Sequence, residues 1–242
     1  TNSAGKPFFL LLQYTGIHTT TVTEVLKKYE WDDSTFYDEK NINMKKYDEA
    51  FLQAGIYAKK IKTTIDELGI NDNTILIFFT DHGTGVGERF GERNYGSFTY
   101  EETIRTFYHF IGPKIRKNSS SDKLLSTIDI MPTILEFCGI EHTENLPGES
   151  FLEFLIDSSK ELKEKEFTFS ETGALHGPYP SPQQSNVFCI KTPKNKLIYL
   201  KDADQWLFYN LISDPTETKN IYDENSELQK SLKNKLLEWI NS

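Results

Sequence analysis

A chain of 242 residues with 37% hydrophobic and 13% aromatic side chains carries enough apolar mass for one large α/β domain, or a domain with a small companion, which argues against global disorder. Its formal charge of −9 argues against a nucleic-acid surface, which needs a basic stripe, but leaves room for a small anionic substrate in a cleft whose potential a metal ion reverses. No run of 18 apolar residues is present, so no membrane span is expected, and the two cysteines, Cys138 and Cys189, make no disulfide framework and read as buried thiols.

The chain opens on TNSAGKPFFL without Met or a signal-peptide pattern and reads as an internal start, which leaves the compartment unassigned. Residues 7–14 (PFFLLLQY) are a continuous apolar run of strand length, the pattern of a strand buried on both faces of a parallel sheet. The polar stretch 30–46 has no period and reads as an exposed loop. From Tyr47 the period becomes helical: Tyr47, Phe51, Ala54, Ala58, Ile61, Ile65 and Leu68 share one face, and Gly69 stands where a C-terminal cap is expected. TILIFFT (74–80) is a second buried strand, so strand, helix and strand predict a βαβ unit with a parallel sheet.

A Gly-rich loop (83–97) leads to a third strand at 106–111, then a solvated linker, KIRKNSSSDK. Asp129 is placed to cap a helix over about 130–138, which tolerates Pro132 in its first turn and ends at Gly139. Beyond residue 160 short strands at 167–171, 187–192, 197–201 and 206–210 predict an antiparallel sheet, and Leu228, Leu232, Leu236, Trp239 and Ile240 a closing amphipathic helix. The expected division is an α/β layer over 1–160 and a small antiparallel α+β subdomain over 161–242.

Asp81-His82-Gly83 follows directly on the strand 74–80, and ligands of parallel α/β sheets bind outside the carboxyl ends of strands. A carboxylate and an imidazole suit a divalent cation, and Gly83 permits a sharp turn that lets the two side chains converge. The competing reading is a turn in which Asp81 bonds nearby amides and His82 is incidental. His18 emerges at the same edge, where it serves either as a general acid for a leaving group or as a solvated loop residue. Arg89 and Arg93, in the Gly-rich loop, are candidates to clamp an anionic ester, against the alternative of solvated loop charges. His176 is a candidate to line a pocket, His142 a loop residue, and His109 a core histidine.

Taken in order, these segments resemble the sulfatase family of the alkaline phosphatase superfamily. KPFFLLLQYTGIH is similar to its Lys-Pro-Phe-Phe strand and following histidine, NDNTILIFFTDHG to its metal strand, and YEETIRTFYHFIGP to the strand after it. STIDIMPTILEFCGI resembles the family's Pro-Thr helix and LFYNLISDPTETKNIYD its C-terminal hairpin, so the likeness runs from about Lys6 to Ile240.

The resemblance implies a mostly parallel sheet flanked by helices, with its N-terminal part missing, and hydrolysis of a sulfate ester on a Ca²⁺ or Mg²⁺ ion. It further implies Asp81 and His82 as metal ligands, His18 acting on the leaving alcohol, and a small anionic ester as substrate. Two departures stand out. No Cys- or Ser-x-Pro-x-Arg motif is present to become the formylglycine nucleophile, and the family's first metal-binding aspartates are absent too, so the chain is expected to start after them and to be inactive alone. The family also places a lysine after Asp-His-Gly, whereas Gly83–Tyr100 has none, which keeps open a phosphoester hydrolase on Zn²⁺, and the absent nucleophile motif leaves a non-catalytic binding protein as a third reading. An interrupted sheet is expected to self-associate through its exposed edge.

Overall fold

The computed structural model describes residues 6–18, 34–141, 145–173 and 184–242. Two short elements replace the expected loop at 30–46 as far as it is described: helix α1 (Thr35–Asp38) and the first turns of α2 (Lys40–Glu67). Phe36 explains the departure, because its buried ring gives an otherwise polar segment something to fold around. Helix α2 ends as its sequence predicts, with Leu68 as cap and Gly69 at φ 66°. Its apolar stripe is only half covered. Ala54, Ala58, Ile61 and Ile65 are partly buried, while Phe51 and Leu68 of the same stripe, and Leu52, Ile56 and Tyr57 beside it, are exposed.

Strand β1 (Leu76–Phe79) pairs with β2 (Tyr108–Ile111), Leu76 opposite Ile111 and Phe79 opposite Tyr108, and the pairing is antiparallel. The expected parallel βαβ unit of 7–14 and 74–80 is not seen: among the described residues no parallel pair occurs and 7–14 is not a strand. Periodicity reports which faces are apolar but not which strand lies alongside or in which direction. Residues 80–107 loop back to the same end of the sheet through one short helix, α3 (Glu101–Ile104), and so return antiparallel. The run Phe8–Leu12 stays 60% or more exposed, since a strand buried on both faces needs a neighbour on an edge and a cover on each face. His109, expected in the core, faces solvent from β2.

Helix α4 (Ile130–Phe137) begins in a capping box. Ser126 N–H donates to Asp129 Oδ2 at 2.8 Å, Glu149 N–H donates to Asp129 Oδ1 at 2.8 Å, and Lys165 lies 3.2 Å from that fully buried carboxylate. The helix closes at Gly139 (φ 64°), and Cys138, its cap residue, is exposed rather than buried. After α5 (Leu152–Ile156) come β3 (Thr168–Thr172), β4 (Val187–Lys191), β5 (Asn195–Leu200) and β6 (Gln205–Asn210), an antiparallel meander in chain order, then α6 (Glu227–Ile240).

Alternation along these strands covers both faces of the sheet. Phe188, Ile190, Leu197, Trp206 and Phe208 pack on Leu232 and Leu236 of α6. Val187, Cys189, Ile198, Leu207 and Tyr209 pack on Tyr100, with Phe98 and Ile104 against them. Each such side chain contributes about 1.5–3 kcal/mol on burial. The second face matters for the site, because it fixes the stretch 98–104, just downstream of the Gly-rich loop, onto the C-terminal sheet.

Candidate functional site

Thr80 N–H donates to Phe107 O at 3.4 Å, the last ladder contact before the chain leaves β1 and enters Asp81-His82-Gly83. Gly83 is required here by close approach rather than by a left-handed turn. Its N–H donates to Thr103 O at 2.8 Å, and a Cβ on it would sit 2.3 Å from Glu102 O.

This contact sets the orientation of His82. Its Nδ1 is 2.6 Å from Gly83 O, and because a carbonyl only accepts, Nδ1 carries a proton, which in the neutral ring leaves the lone pair on Nε2. Asp81 Oδ1 accepts the His82 N–H at 3.0 Å, and Asp81 Oδ2 lies 3.8 Å from His82 Nε2. Both readings of the tripeptide are therefore present at once. One oxygen of Asp81 makes a local turn, while the other stands beside a histidine nitrogen with a lone pair, on a side chain 79% exposed. A ring N–H tied to a carbonyl is the usual support of a metal-ligating histidine. Oδ2 and Nε2 at this spacing suit two corners of one cation shell with ligand bonds of about 2.0–2.4 Å. Among the described residues no third His, Cys, Asp or Glu side chain joins them.

Tyr95 connects this pair to His18. Its ring lies 4.2 Å from that of His82, and its hydroxyl is 3.2 Å from His18 Nδ1. Tyr95 carries no sequence signal, since the Gly-rich loop has no period. The loop owes its shape to backbone pairing of Gly85 with Asn94 (Asn94 φ 77°) and to Glu92, a buried carboxylate that accepts N–H groups of Ser97 at 3.3 Å and Phe98 at 2.8 Å. Burial outweighs those bonds and pushes Glu92 up to about 7.

The other expected contributors lie apart. Arg89 Nε donates to Glu102 at 2.6 Å, Nη1 to Glu217 O at 2.8 Å and Nη2 to Thr216 O, and the guanidinium stacks 3.6 Å over Tyr100. It is a tie between the loop and the β6–α6 connection, a role that fits its fixed, multidentate fork. Arg93 lies 5.6 Å over Tyr37 and 6.0 Å over Phe36. His176 and His142 lie outside the described residues. Beneath Arg89, fully buried Lys196 pairs with Glu101 at 2.7 Å and Glu217 at 2.8 Å, and Lys191 pairs with Glu101 at 2.7 Å. A cleft of about 1910 Å³ has Asp81 and His82 in its lining, with Arg105, Lys165 and Lys191.

Known proteins share this arrangement of elements. A family profile described as sulfatase matches residues 1–140, and one described as N-sulphoglucosamine sulphohydrolase, C-terminal, matches residues 91–242. N-acetylglucosamine-6-O-sulfatase of Bacteroides thetaiotaomicron is 30% identical over 177 residues, 69% of this chain and 30% of that protein. Arylsulfatase K of Bos taurus is 30% identical over 190 residues, 75% of this chain and 34% of that protein. The chain thus spans about a third of the length of these two relatives.

A solved protein in complex with its substrate D-glucosamine-2-N,6-O-disulfate superposes with a TM-score of 0.63 at 25% identity, over 81% of this chain and 38% of that one. The phosphonate monoester hydrolase of Agrobacterium radiobacter shares the fold, with a TM-score of 0.63 at 18% identity over 79% of this chain and 39% of that one. With two profiles that each take in more than half of its residues, the chain belongs to the sulfatase family of the alkaline phosphatase superfamily.

Proposed function

We propose that this chain is part of a metal-dependent sulfuric ester hydrolase acting on a small anionic ester, with Asp81 and His82 as two ligands of its divalent cation. The observation that carries this reading is the pairing of Asp81 Oδ2 with the lone-pair nitrogen of His82, 3.8 Å away, at the exit of β1. Hard carboxylate chemistry favours Ca²⁺ or Mg²⁺, and such an ion, when bound, polarises the ester oxygens. His18 acts on the leaving alcohol, a contribution worth roughly 10²–10⁴-fold. Neither loop arginine is given the anion here, since Arg89 is bound to Glu102 and Glu217 O and Arg93 lies over Tyr37 and Phe36. The sequence holds no Cys- or Ser-x-Pro-x-Arg motif, so no step is assigned to a nucleophile of this chain, and the chain alone is expected to be inactive.

The test is Asp81→Ala in the full-length protein. Metal binding and turnover are expected to disappear together, and turnover retained at saturating metal would sink the proposal. A phosphoester hydrolase on Zn²⁺ is the second reading, favoured by the absence of lysine from Gly83 to Tyr100. Rates on an aryl sulfate and an aryl phosphate, measured side by side, separate the two.

A further inference from the structure

Tyr95 spans the two histidines of the candidate site. The three core clusters do not include it. Its backbone is held from both sides, by the Gly85–Asn94 pair before it and by the Glu92 carboxylate on the N–H groups of Ser97 and Phe98 after it. What this fixed backbone presents is a ring 4.2 Å from the His82 ring and a hydroxyl 3.2 Å from His18 Nδ1. A phenol keeps its proton at neutral pH and can donate it or accept on its oxygen, and a neutral imidazole accepts only at the nitrogen that lacks a proton.

We infer that Tyr95 is a positioning residue: its hydroxyl donates to His18 Nδ1 and fixes the proton of His18 on Nε2, while its ring braces His82. The inference rests on reading His18 and His82 as site residues. Its consequence is specific. Nε2–H is the donor that an oxygen gaining charge on a leaving alcohol needs, and a ring free to take the other tautomer offers it only part of the time. Because one side chain touches both histidines, the group acting on the leaving oxygen and the group proposed to hold the cation are placed by the same residue.

The test separates the hydroxyl from the ring. In ¹⁵N-histidine spectra of the chain, His18 is expected to show a protonated Nε2 and an accepting Nδ1. Tyr95→Phe should spread His18 over both tautomers with His82 little changed, and Tyr95→Leu should move both residues. An unchanged His18 tautomer in Tyr95→Phe overturns the inference, and this readout needs neither metal nor turnover. In the full-length enzyme Tyr95→Phe should lower kcat roughly 10-fold on an alkyl sulfate with KM unchanged, and less on an activated aryl sulfate. Equal losses on the two esters, or a further loss when added to His18→Ala, also overturn it. Turnover that survives Asp81→Ala counts against the metal reading alone and leaves the spectra to judge Tyr95.

Discussion

Lys196 Nζ lies 2.8 Å from Glu217 Oε1, and both side chains are completely buried. Burial alone would pull the lysine down, but the carboxylates of Glu101 and Glu217 outweigh it and hold Lys196 above the ordinary lysine range. Burial likewise pushes Glu101 up, yet Lys196 and Lys191 bring it below the ordinary carboxylate range. Burial pushes Glu217 up with Lys196 opposing it, so the charges held are those of Lys196 and Glu101, and the three groups join the 99–102 stretch to β5 and to the β6–α6 connection. Removing one partner strands the others in a dry seam.

Lys196→Met is accordingly expected to destabilise the chain by about 3–5 kcal/mol. Lys230→Met, which breaks an exposed pair with Glu227 at 2.8 Å, should change stability by under about 1 kcal/mol. Urea unfolding of the two variants against wild type measures both. Similar midpoint shifts would show that the buried pair is no stronger a constraint than a surface one.

Glu92 gives the chain a pH dependence of known sign. Its folded value is pushed up to about 7 by burial, above the ordinary carboxylate value, so the folded state holds its proton more tightly than the unfolded chain. The stability this contributes is fully present below the unfolded value and is lost as pH rises through about 7. Across that window the slope from this one group is at most about 1.4 kcal/mol per pH unit. Glu92→Gln should flatten the profile between pH 5 and pH 8, read by thermal melts at each pH. A variant with the wild-type slope would place the pH dependence elsewhere.

Different parts of this fold were legible in the sequence to different degrees, for a physical reason. The C-terminal strands announce themselves because Val187, Phe188, Cys189 and Ile190 alternate between two apolar faces, each with its own cover. Gly69 and Gly139 mark helix ends through a backbone conformation that other residues avoid. Pairing direction is different, since TILIFFT has the same composition beside a parallel or an antiparallel neighbour.

The long-range polar contacts are less legible still. Arg89 looks like an anion clamp in a Gly-rich loop, but its partner Glu217 O is 128 residues away, and no local pattern encodes that distance. Asp81 and His82 were visible as adjacent ligand-type residues at a strand end. Tyr95 was not, because its role depends on how Glu92 and Asn94 fold the loop over them.

Gly83→Ala tests whether the strand end needs that loop's neighbour so close. The new Cβ would meet the backbone carbonyl of Glu102 at 2.3 Å, and a carbonyl in a helix cannot swing aside as a side-chain tip does. Either Gly83 N–H loses Thr103 O or α3 shifts, at a cost of about 1–3 kcal/mol. The expected outcome is a lower melting temperature together with weaker metal binding, since His82 Nδ1 is oriented by the Gly83 carbonyl. A melting temperature and affinity both equal to wild type would mean that the contact relaxes freely.

The sharpest test of the Asp81–His82 pair is a comparison with an acid elsewhere on the chain. Asp214 is held below the ordinary carboxylate range mainly by the backbone N–H groups of Thr218 and Lys219, with the Thr218 hydroxyl adding a donor, so its oxygens are already occupied. Asp81 spends one oxygen on His82 N–H and turns the other toward a nitrogen that carries a lone pair. Mn²⁺ titrated into the ¹⁵N-labelled chain should therefore broaden amide signals around Asp81, His82 and Tyr95 well before those around Asp214. Asp81→Asn should remove the first effect and leave the second unchanged. Equal broadening at the two sites would mean that the lone pair on Nε2 adds nothing, and that Asp81 binds cations only as any exposed carboxylate does.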